Sequence, residues 1–82
     1  MKDKVINVTV HSVKDNVVYV RCEDKPPTDK LTGKVWKKLS SGKWETYITG
    51  KIAHQLIASM QNFNTRNFTL LTDEDGVLVG FR

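Results

Sequence analysis

The 82-residue chain has one cysteine, Cys22, so it can form neither an internal disulfide nor a cysteine-based zinc cluster, and a reducing compartment suits it. Its two prolines are adjacent, Pro26-Pro27, and they confine the ban on helix interior and central strand to one short segment. The five glycines are scattered, and none belongs to a phosphate-cradling run. Long hydrophobic runs are also missing. The apolar stretch behind the charged start, Met1 to Lys4, alternates with polar residues, so neither a signal peptide nor a transmembrane helix is expected and the setting is read as cytoplasmic.

Groups that carry catalysis are few. The two histidines, His11 and His54, fall on separate predicted elements, and Cys22 points inward on an apolar strand, where a thiol is inert packing. Asp73-Glu74-Asp75-Gly76 lacks the twelve-residue frame and closing glutamate of a calcium loop and reads as a polar hairpin turn. No catalytic residue, metal or cofactor is therefore expected, and the chain is read as a non-enzyme.

What is present is a single small basic domain, residues 1–82, of 9.4 kDa. At this size folding buries only about 60% of the unfolded surface, so the core is thin. Hydrophobic residues at 39% and charged residues at 27% are nonetheless those of a folded chain. The net charge of +4 and pI near 9.4 favour a polyanionic or acidic partner.

From Val5 to Glu23 the sequence alternates with period two and is interrupted at Lys14-Asp15-Asn16, which reads as a hairpin. A three-residue loop at 14–16 pairs Val10 with Val20 and Val8 with Cys22, and places Ile6, Val8, Val10, Val18, Val20 and Cys22 on one buried face. Asn7, Thr9, His11, Tyr19 and Arg21 then point outward. After the proline loop, a second hairpin is expected from Lys34–Leu39 and Lys43–Ile48. With Ser41-Gly42 as its turn, Leu39 meets Trp44, Lys38 meets Glu45, Trp36 meets Tyr47 and Val35 meets Ile48.

Thr49 is placed to cap a helix over about residues 50–62 with Ile52, Leu56, Met60 and Phe63 on one face, stopped at Asn62 or Asn64. A third hairpin, Asn67–Thr72 with Val77–Phe81, turns near Asp75-Gly76 and lines its inner face with Phe68, Leu70, Val79 and Phe81. The fold class is therefore α+β: an antiparallel, curved or partly barrel-like sheet in the order ββββαββ with one helix packed on it. In order alone, this is similar to the oligonucleotide-binding barrel, where a helix also interrupts the strands.

Charge is distributed unevenly. Residues 1–29 balance to zero and residues 52–82 to −1, whereas residues 30–51 carry Lys30, Lys34, Lys37, Lys38, Lys43 and Lys51 against Glu45 alone, a net +5. In the expected register Lys34, Trp36, Lys38, Lys43, Glu45 and Tyr47 share the solvent face of the second hairpin. Lysines neutralise phosphates and rings stack on bases, so the candidate site is Lys34, Trp36, Lys37, Lys38, Lys43, Tyr47 and Lys51, extended by Arg21 and, on the same first hairpin, by Tyr19 and His11. Ten lysines against three arginines favour binding of RNA or single-stranded DNA with little sequence specificity. The competing reading is a small accessory or phage-type inhibitor protein that docks the same hairpin on an acidic surface of a host enzyme or nucleic-acid-processing complex. Strand edges and a thin core also admit a homodimer.

Overall fold

The computed structural model describes residues 3–82; Met1 and Lys2 of the charged start lie outside them. The first hairpin consists of β1 (Lys4–Lys14) and β2 (Val17–Cys22). Its turn is the two-residue Asp15-Asn16, both with positive φ (52° and 63°), the mirror-image turn whose twist matches that of the strands. Lys14 thus faces Val17, and an extra residue in β1 between Val10 and Ser12 then restores the pairing of Val10 with Val20. The expected pair and the expected faces hold, though by a shorter turn and a bulge at His11. Ile6, Val8, Val10, Val18, Val20 and Cys22 are all buried.

Beyond the proline loop the chain forms a small separate hairpin, β3 (Lys30–Leu31) with β4 (Lys34–Val35), which takes the first two residues of the expected strand Lys34–Leu39 out of the main sheet. Then β5 (Lys37–Lys38) pairs with β6 (Trp44–Ile48). Here the structure corrects the expected register. Leu39 N donates to Lys43 O at 2.7 Å, Gly42 has φ +92°, and the loop is the three residues Ser40-Ser41-Gly42. Lys38 consequently meets Trp44 and Lys37 meets Glu45. A slip of one residue inverts the faces of a strand. Trp36, expected outside, is 4% exposed, whereas Val35, expected inside, is 63% exposed.

Helix α1 (Gly50–Phe63) follows, entered through extended Thr49, whose side chain makes no capping hydrogen bond, and ended by Asn64 in the left-handed conformation (φ 51°). It buries Ala53 and Leu56 and packs Ile52, Ile57 and Met60 partly against the core. Phe63, expected on the same stripe, falls with Ile52 at its margin and is 75% exposed. Strand β7 (Asn67–Thr72) then pairs with β1, Ile6 opposite Leu70 and Val8 opposite Phe68, and β8 (Leu78–Phe81) pairs with β7. An irregularity at Val79 brings Leu78 opposite Thr72, so Leu78 is buried in place of the expected Val79, which stays exposed.

The main sheet is antiparallel, six-stranded and open, in the order β5-β6-β2-β1-β7-β8. Its outer strands β5 and β8 do not pair, so the barrel-like closure expected from the element order is absent. One face carries the core with α1 against it; Leu31, Trp36, Ile48, Phe68, Leu70 and Leu78 complete that core. The small hairpin is fixed to two sides. Thr46 Oγ1 donates to Lys34 O, Thr32 N donates to Gly76 O at 2.8 Å, and Leu78 N donates to Thr32 Oγ1 at 3.0 Å. Among the described residues no helix is long and apolar enough to cross a membrane.

Candidate functional site

The sheet face away from α1 is the uncovered one, and cross-strand pairing decides what stands on it. Tyr19 is opposite Tyr47 and Arg21 opposite Glu45, so these four side chains occupy the same face of β2 and β6. The two tyrosine rings lie 6.0 Å apart between centroids in a tilted arrangement, 43° between planes, within the distance range of favourable aromatic pairs. Lys34 Nζ stands 5.3 Å from the centre of the Tyr47 ring. Arg21 Nε donates to Glu45 Oε2 at 2.7 Å, a part-buried pair made through one nitrogen of the guanidinium.

The sequence-derived candidates divide accordingly. Lys34, Tyr47 and Lys51 come together around a cavity of about 130 Å³, with Ile52 and Leu78 beneath. Lys37, opposite Glu45, shares the tyrosine face. Lys43 borders a second cavity of about 280 Å³ with Thr9, His11, Arg21 and Arg66, and lies 3.9 Å from Glu23. Lys38 is opposite Trp44 and sits 5.9 Å over its ring, on the other face of the sheet. Trp36 leaves the site altogether: it is buried between β4 and β5, its backbone N donates to Asp29 O at 3.1 Å, and its Nε1 has no hydrogen-bond partner. The ring that faces Tyr47 is Tyr19 rather than Trp36.

Several outer-face residues escaped the sequence reading because they become neighbours only when β1 pairs with β7. Thr9 Oγ1 donates to Asn67 Oδ1 and Thr69 Oγ1 donates to Asn7 Oδ1, each at 2.9 Å. Arg66 joins them by reaching His11 O through Nη1 at 3.5 Å. The only trace in the sequence is that each of these residues occupies an outward position of a period-two strand or directly precedes one.

Cys22 is buried, with Sγ 3.3 Å from Asp24 O. Its burial, and secondarily the Asp24 carboxylate, push the thiol pKa up to about 11, which keeps it protonated and unreactive at neutral pH. Among the described residues no three His, Cys, Asp or Glu side chains gather to hold a metal ion. No protein-family model matches the chain, and neither a curated protein nor a solved structure matches it.

Proposed function

We propose that this chain is a non-enzymatic nucleic-acid-binding module, working in a reducing cytoplasmic setting, that takes RNA or single-stranded DNA across the uncovered sheet face with little sequence specificity. The observation that carries this reading is the Tyr19–Tyr47 ring pair with Lys34 beside it on a face no other element covers. Rings accept any base by stacking, and Lys34, Lys37, Lys51 and Arg21 supply charge for phosphates.

Filter binding of RNA, single-stranded DNA and duplex at two salt concentrations tests it. Single strands are expected to bind most tightly, and Tyr47→Ala is expected to weaken them by about 1–3 kcal/mol. Lys34→Ala combined with Lys37→Ala should flatten the salt dependence by about 1.4 in log–log slope, roughly 0.7 for each phosphate contact on a single strand. Affinity indifferent to salt and to both changes contradicts the reading. If no oligonucleotide binds and one acidic protein is retained from nuclease-treated lysate, the same face belongs to an accessory or inhibitor protein instead.

A further inference from the structure

The main sheet ends in two edges of opposite character. At one end β5 is two residues long and both are lysines, Lys37 and Lys38, a short charged edge of the kind that resists pairing. At the other end β8 and its approach, from Gly76 to Phe81, carry no charged residue, and Val77 and Val79 are 43% and 57% exposed.

The backbone of β8 is directed for pairing. Arg82 N donates to Thr69 O at 2.9 Å and Thr69 N donates to Arg82 O at 2.8 Å, which turns Arg82 toward β7. Gly80, two residues earlier and opposite Leu71, lies in the same phase. Phe81 and Val79, on either side of Gly80, therefore turn their N–H and C=O away from β7. Leu78 also turns its N–H outward, where Thr32 Oγ1 accepts it at 3.0 Å, so the small hairpin occupies the edge as far as Leu78. Past that point, among the described residues, no strand or loop is hydrogen-bonded to the outer side of β8.

We propose that β8 pairs antiparallel with β8 of a second copy about a two-fold axis at Gly80, Val79 of each chain opposite Phe81 of the other. Phe81 and Val79 then exchange main-chain hydrogen bonds, and Gly80 brings no side chain to the axis, in a place where a Cβ would meet nothing within 4 Å. Charge selects a second copy over an acidic partner. The edge offers an acidic surface no cation, and the lysine-bearing β5 stands five strand spacings away, about 24 Å, more than twice the Debye length of ~8–10 Å at physiological salt. Two chains of net charge +4 thus meet through an uncharged rim, with their lysine-rich hairpins at opposite ends of the assembly. Pairing also covers Val79, burial that a thin core gains from. The two sheets become one of twelve strands with both uncovered faces on the same side. The two Tyr19–Tyr47 ring pairs then stand about 34 Å apart, seven spacings between one β2 and the other.

Sedimentation equilibrium of the whole chain over a range of micromolar concentrations tests this pairing. The native chain is expected at twice the 9.4 kDa of a single copy, and Val79→Lys at 9.4 kDa across the same range, because its lysine enters the paired edge. Val13→Lys, 40% exposed near the tip of the first hairpin, is expected to keep the native mass. Far-UV circular dichroism verifies that both variants stay folded. A native chain that remains at 9.4 kDa at the highest concentration overturns the proposal whatever the variants do. So does a Val79→Lys variant that dimerises like the native chain, or growth beyond two copies, since a two-fold pair uses up both β8 edges. The dimer does not depend on nucleic acid: a monomer that binds single strands leaves the proposed function standing, and a dimer that binds none leaves the pairing standing.

Discussion

Substituting alanine for Trp36 distinguishes a core residue from a binding residue. Its side chain is 4% exposed among Leu31, Ile48, Leu78 and their neighbours, so truncation removes one of the largest buried surfaces in a thin core. Such Trp→Ala changes cost about 3–5 kcal/mol. Against a total stability of about 4–12 kcal/mol for a chain of this length, that is a large fraction. With a urea slope near 1 kcal/mol/M, the unfolding midpoint should fall by about 3 M or more. The unpartnered Nε1 makes a second, opposing contribution. Trp36→Phe gives up volume yet also removes an N–H whose unsatisfied burial costs about 1–3 kcal/mol. It should therefore sit within about 1.5 kcal/mol of the native chain. Urea unfolding followed by far-UV circular dichroism reads both. A Trp36→Ala midpoint unchanged from the native one would refute the burial argument, and a Trp36→Phe variant as unstable as Trp36→Ala would refute the reading of Nε1 as an orphan.

Other expectations follow from single residues. Gly76 has φ +83°, and an added Cβ would collide with the Lys30 carbonyl oxygen and come within 2.8 Å of Thr28 Oγ1, so Gly76→Ala should cost at least about 2 kcal/mol in thermal unfolding. Gly42→Ala, at φ +92° but with open space around it, should cost only about 1 kcal/mol; equal losses at the two sites would discredit the contact. Because the folded thiol of Cys22 titrates near 11 and the free thiol near 9, the unfolded chain loses its proton first, and stability should fall between these pH values relative to Cys22→Ala. A pH difference curve that stays flat between the two proteins would exclude that linkage. Asn16→Gly should raise stability by a few tenths to 1 kcal/mol, since φ 63° costs glycine nothing, and a lowered melting temperature would contradict the turn assignment.

Much of the architecture was legible because it is local. Period-two alternation identified the faces of β1 and β2, and the spacing of Ile52, Leu56 and Met60 identified α1. The first hairpin survived a misjudged loop because the shorter turn and the bulge at His11 compensate each other. The second hairpin had no compensating bulge. Counting Ser40 into the strand moved the register by one, and Trp36 exchanged places with Val35. Both choices gave credible cross-strand pairs, so only the small β3–β4 hairpin and the Asp29 carbonyl that receives the Trp36 N–H decide between them. The site was half legible. Charge clustering pointed to Lys34, Lys37, Lys51 and Tyr47, and strand alternation to Tyr19 and Arg21, whereas the Asn7, Thr9, Asn67 and Thr69 square depends on pairing between residues about sixty positions apart.

The tie between Thr32 and the Gly76–Leu78 segment has a bearing on how the chain matures. Leu78 N reaches back across 46 positions to Thr32, and β7 reaches back across 62 from Thr69 to Asn7. During translation, then, Leu31 and Trp36 emerge well before the residues that cover them. A nascent polypeptide stalled before Asn67 would display apolar surface with its first hairpin only half flanked, the condition under which chaperones bind and aggregation competes with folding.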